Sequence, residues 1–139
     1  MRLTLVAAVG LLAACSSDPN GPRTGLLTGL YGNPEQHAQL VALHRSAELQ
    51  FPCGSYFESR EPIVLDGDLT FRAPGKLHLA SFGIPADPTD VVAVGSYESA
   101  TGLVRMHLEG DGDDPIPYVL TPGQSGELDQ VVCALTSAI

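Results

Sequence analysis

Glycine and proline punctuate this chain throughout, 15 and 11 of them in 139 residues. In a helix interior each costs about 1 and about 3 kcal/mol relative to alanine. Long helices are therefore excluded, and the apolar residues must be buried by short elements. Between the breaks the apolar residues mostly alternate with polar ones. Ala47, Leu49 and Phe51 fall on one side of 47–51, and Val104, Met106 and Leu108 oppose Leu103, Arg105 and His107. That period of two is the signature of half-buried strands. Further runs at 39–43, 63–65, 69–72, 76–80, 91–97, 117–120 and 128–135 follow at spacings near ten residues. Asp66-Gly67-Asp68 and Pro74-Gly75 read as turns between them. The expectation is a mainly β fold, a single small antiparallel β-barrel or sandwich of seven or eight short strands. One competing element is a helix over 34–49, capped by Asn33 with Pro34 at its first position. The alternation running into Phe51-Pro52-Cys53-Gly54 favours strands there.

The composition, 44% hydrophobic and 17% charged, suits a folded chain rather than a disordered one. Sixteen acidic side chains against seven basic ones give a formal charge of -9. A field of that sign repels phosphate backbones, which argues against nucleic acid as a partner.

At the N-terminus a single cation, Arg2, precedes the uncharged run Leu3–Ala14. The run is too short to cross a hydrocarbon core of about 30 Å as a helix. It has the pattern of a cleavable export signal. Leu12-Ala13-Ala14-Cys15 resembles the lipobox of bacterial lipoproteins. The resemblance implies a signal peptide over 1–14, lipidation of Cys15, acylation of its new amino group by a fatty acid such as palmitate, and anchoring to an envelope membrane. Two buried acyl chains suffice for stable anchoring. Ser16 resembles the outer-membrane sorting pattern of Gram-negative lipoproteins, which would place the domain in the periplasm or at the surface. The chain left after cleavage would carry six basic and sixteen acidic side chains, net -10, and so has no general attraction to anionic headgroups. Residues 15–29, rich in Ser, Pro, Gly and Asn, read as lipidated cysteine and flexible tether, and 30–139 as the domain. Leu26, Leu27 and Leu30 already offer material for a core, so that boundary is soft.

Cys53 and Cys133 remain once Cys15 is assigned to lipid. An even pair in an exported protein points to a disulfide. The rival readings are metal ligation and a reactive thiol, and neither cysteine has a Cys or His neighbour at zinc-ligand spacing. The order Ala47–Gly54, Pro62–Phe71, Tyr97–Met106 and Val131-Val132-Cys133 is similar to that of a group of small exported bacterial proteins with a paired early and late cysteine. No activity is assigned to that group. The resemblance implies a β-rich fold and supports the disulfide, and it supplies no catalytic residues.

Candidate chemistry is sparse. His37, His44, His78 and His107 lack tight ligand spacing, although His78 and His107 sit in alternating strands that can share a face. The acidic turns 66–68 and 109–114 are oxygen-rich, as calcium requires, but lack the EF-hand order. Gly123-Gln124-Ser125-Gly126 lacks the spacing of a nucleophile elbow. With no tryptophan, any sugar-stacking surface would come from Tyr31, Tyr56, Tyr97 or Tyr118. No cofactor, metal site or catalytic residue is expected. The functional expectation is a membrane-anchored, non-catalytic binding or interaction module with an envelope protein partner. The alternatives are a carrier of a small apolar ligand inside the barrel, a calcium-binding module and a hydrolase.

Overall fold

The computed structural model describes residues 25–81, 84–85, 87–110, 116–131 and 133. Eight strands close into an antiparallel barrel: β1 (Gly29–Asn33), β2 (Ala38–Ala42), β3 (Ala47–Gln50), β4 (Tyr56–Ser59), β5 (Thr70–His78), β8 (Thr89–Tyr97), β9 (Val104–Glu109) and β10 (Tyr118–Pro122). Two short strands, β6 (Ala80–Ser81) and β7 (Ile84–Pro85), pair with each other between β5 and β8. Each barrel strand lies beside its neighbours in sequence, and β1 closes the ring by pairing with both β2 and β10. This is an up-and-down barrel, which leaves few free edges. Segment 34–49 forms β2 and β3. Asn33 does cap the chain there, but as a turn, its Oδ1 accepting hydrogen bonds from the amides of Glu35 and Gln36.

Alternation determines the inside. Leu40, Leu49, Phe57, Phe71, Ala93, Val104, Met106 and Leu120 point inward and form one buried cluster, with Tyr31 and Tyr97 at its margin. At about eight strands a barrel is just wide enough for side chains to fill it. Glycines adjust the fit. A Cβ at Gly75 would strike the Phe57 ring, and one at Gly95 the Phe71 ring, so both aromatics lie over bare backbone.

Three expected features differ. Ile63–Leu65 is not a barrel strand. Val64 makes one bridge to Leu26, Leu27 N–H donates to the Ile63 carbonyl, and Leu65 N–H donates to the Gly25 carbonyl. Leu27, Ile63 and Leu65 are buried and cover the rim of the barrel at which β1 begins. The fold therefore starts by Gly25, inside the segment read as tether. Second, Pro74-Gly75 does not turn but lies within β5. Third, Leu128–Gln130 is a 3-10 turn, and the rest of the expected last strand falls mostly outside the described residues, as does most of the acidic turn 109–114.

Cys53 and Cys133 form a disulfide across 80 residues. It holds a C-terminal strap. From the rim where β10 ends, the Gly123 amide donates to the Leu30 carbonyl and the Gly126 amide to Gln39 Oε1. A Cβ at Gly32 would collide with the Gln124 carbonyl, so the strap rests directly on the outer face of β1 and β2.

Candidate functional site

An outer groove of about 680 Å³ runs across β4, β5 and β8. It arises where β4 stops. The β4–β5 ladder runs from Tyr56↔His78 to Glu58↔Lys76, while β5 continues against β8 down to Thr70↔Ser96. Pro74, Gly75, Val91 and Val92 line the groove, the chain leaving β4 supplies Arg60 and Glu61, and Glu109 comes from the end of β9. Glu58, Lys76 and Asp90 stand side by side on adjacent strands in register, and Lys76 Nζ donates to Asp90 Oδ1 at 2.7 Å. His78 Nε2 lies 3.0 Å from Glu58 Oε1, and its ring stacks on Tyr56 at a centroid distance of 4.5 Å.

Next to the groove, Glu109 bonds His107 at 3.1 Å and Arg72 at 3.3 Å. The hydrogen bond from His107, then the charge of and hydrogen bond from Arg72, hold the Glu109 carboxyl below its usual value against the opposing effect of burial. Chemically, this surface offers an apolar strip bordered by carboxylates and fewer cations. None of its groups is a nucleophile placed beside a base.

The residues singled out from sequence fall as follows. His78 and His107 share the outer surface of the barrel, but each pairs with its own glutamate, and no cluster of three metal-ligating side chains occurs among the described residues. His44 is exposed in the β2–β3 turn. His37, in the β1–β2 turn, has a buried Nδ1 without a hydrogen-bond partner among the described residues and a backbone φ of 49°. Asp66 clamps its own turn, Oδ1 accepting from the amides of Asp68 and Thr70 and Oδ2 from the Thr70 hydroxyl. These bonds, led by the hydroxyl, lower its carboxyl pKa. Gly123–Gly126 belongs to the strap, with Ser125 Oγ accepting the Glu127 amide. Tyr31 donates to the Thr28 carbonyl, and burial, then Tyr97, raises its pKa. Tyr118 packs on Phe51 at 5.5 Å and is also raised by burial. Cys15 lies outside the described residues.

Sequence reasoning missed the row Glu58, Lys76 and Asp90. The signal was available in part, since Arg72, Lys76 and His78 share one side of an alternating run. Reading Pro74-Gly75 as a turn divided that run. Comparison with protein-family models, with curated proteins and with solved structures finds no match to this chain.

Proposed function

We propose that this protein is an exported lipoprotein, anchored to an envelope membrane through Cys15, and that its barrel is a non-catalytic interaction module working through the outer groove. The observation that carries the reading is where concavity and polarity lie. Inward-facing side chains pack on one another in a single cluster, whereas the groove, with its charged border, opens outward. A site for a small apolar ligand would be expected in a cavity mostly lined by apolar side chains. The disulfide and the signal-like N-terminus agree with an oxidising, extracytoplasmic compartment.

The test is site-specific photo-crosslinking in the producing cell, with the probe at Val92 in the groove or at exposed Leu43 in the β2–β3 turn. Discrete adducts from Val92 and not from Leu43 are expected. Equal adducts from both, or none from Val92, would overturn the assignment to the groove. Native mass spectrometry of the exported protein adds a second readout, expected to give the lipidated chain lacking two hydrogens and carrying no noncovalent adduct. A copurifying apolar adduct of defined mass would replace the interaction module with a carrier.

A further inference from the structure

The groove lies beside a gap in the hydrogen-bonding ring of the barrel. The Tyr97 amide donates to the Leu69 carbonyl, which sets the phase of the β5–β8 ladder. Positions 71, 73, 75 and 77 exchange backbone bonds with β8, the Leu69 N–H going instead to the Asp66 carbonyl, and even positions of β5 turn theirs toward β4. Beyond Lys76, however, β4 is no longer alongside. Three even positions then face the gap. Thr70 is satisfied by Asp66, whose side chain accepts the Thr70 amide and whose amide donates to the Thr70 carbonyl. Pro74 has no N–H, and its carbonyl accepts from Ser59 Oγ. Arg72, between them, has a backbone N–H and C=O directed to the gap, and neither finds a partner among the described residues. If β4 continued in register, its residue opposite Arg72 would be Pro62, which carries no N–H to offer.

The free backbone pair lies two residues along β5 from Pro74 in the groove, and the groove border carries a charge pattern. Four carboxylates, Glu58, Glu61, Asp90 and Glu109, face two border cations, Arg60 and Lys76, while Arg72 and His78 are bound to Glu109 and Glu58. Lys76 is already engaged by Asp90, whereas Glu61 has no cation within ion-pair distance among the described residues. We propose that the groove takes an extended peptide segment bearing lysine or arginine side chains. The segment lies along β5, exchanges backbone hydrogen bonds with Arg72, packs apolar side chains on Pro74 and Val92, and sets its cations against Glu61 and Glu58. Strand addition of this kind draws affinity from the main chain and specificity from alternate side chains. The proposal rests on the reading of the groove as the interaction site and adds the chemistry of the partner.

The experiment uses the exported, detergent-solubilised protein and three short synthetic peptides, alternating Lys/Val, Gln/Val and Glu/Val. Binding is followed by fluorescence anisotropy at low and high salt, and backbone contact by hydrogen exchange. The Lys/Val peptide is expected to bind most tightly, to weaken with salt and to slow exchange at Arg72. Glu58→Gln with Glu61→Gln should weaken it roughly two- to tenfold, the range two exposed ion pairs supply. Val92→Arg should abolish binding, and neither variant should change the melting temperature. Equal binding of all three peptides in the groove would overturn the charge assignment and leave the groove as an interaction site. No peptide binding, with groove crosslinks still formed in the cell, would overturn the peptide class alone. Failure of both would overturn the proposal and the reading beneath it.

Discussion

At the scale of single residues, the barrel interior is fitted by pairing aromatic rings with absent side chains. Gly95 faces Phe71 in register, and a Cβ there would come within 2.6 Å of the ring and also press on the Arg105 carbonyl and the Met106 side chain. At Gly75 the obstruction includes the Glu58 carbonyl as well as the Phe57 ring. Since backbone gives way less readily than the end of a side chain, Gly75→Ala and Gly95→Ala are each expected to destabilise the fold by about 1–3 kcal/mol, as overpacked cores do. Phe71→Leu and Phe57→Leu should each recover only part of the loss at Gly95 and Gly75, since a carbonyl oxygen is the nearest obstruction at both. Urea unfolding of the four variants checks this, and a neutral Gly75→Ala would refute the interlock. Asp66 gives a pH prediction. Its carboxyl is lowered by the Thr70 hydroxyl and amide, so its ionised form is favoured in the fold. The resulting stability is present above the unfolded carboxylate range near pH 4 and is lost as pH falls through the lower folded value. The urea midpoint of the native protein should exceed that of Asp66→Ala at neutral pH, and the difference should narrow on acidification. A gap that stays constant with pH would mean that the charge of Asp66 plays no part.

At the scale of elements, β5 shows why one segment was misread and another was not. Pro74-Gly75 has turn composition, yet both residues lie in a nine-residue strand. Proline is tolerated because its missing N–H would have pointed to the side that β4 has vacated. Glycine is required because Phe57 fills the space of its side chain. Neither reason is visible without register, and register depends on partners far away in sequence. By contrast β3 and β9 were legible, because their alternation coincides with burial along their length. The strap was legible only at its end, through Cys133. Its course over β1 and β2 depends on Gly32 and Gly126 leaving room for backbone, a requirement with no periodic signature. The disulfide closes a loop across 80 residues, worth about 4 kcal/mol in the chain-entropy account. Cys53→Ser and Cys133→Ser should each lower stability by a few kcal/mol, the double variant should be no worse than either, and the Gly126 amide should exchange faster in all three. Additive losses would show that the two cysteines stabilise separately.

At the scale of the whole molecule, a small antiparallel β fold was readable from the spacing of short alternating runs, but its closure into a ring was not, because β1 and β4 were not marked out as strands and β5 was read as two runs. The groove was not readable either, since it is made by the early end of β4 and by charges aligned only after closure. The proposed anchor is expected to act independently of the barrel fold. Gly25 lies ten residues beyond Cys15, and backbone bonds tie Gly25 to Leu65 and Leu27 to Ile63. The net charge of -10 expected after cleavage gives the proposed lipid anchor no second attraction to anionic headgroups. Cys15→Ala should move the protein wholly from the membrane to the soluble fraction, or leave it held only by an uncleaved signal, with the melting temperature of the barrel unchanged. An attachment through surface charge would be stripped by salt, whereas an acyl anchor should resist salt and yield to detergent. Membrane retention of a processed Cys15→Ala protein would overturn the lipid anchor and transfer the search to the barrel surface. Loss of barrel stability in the same variant would overturn the separation of anchor from fold.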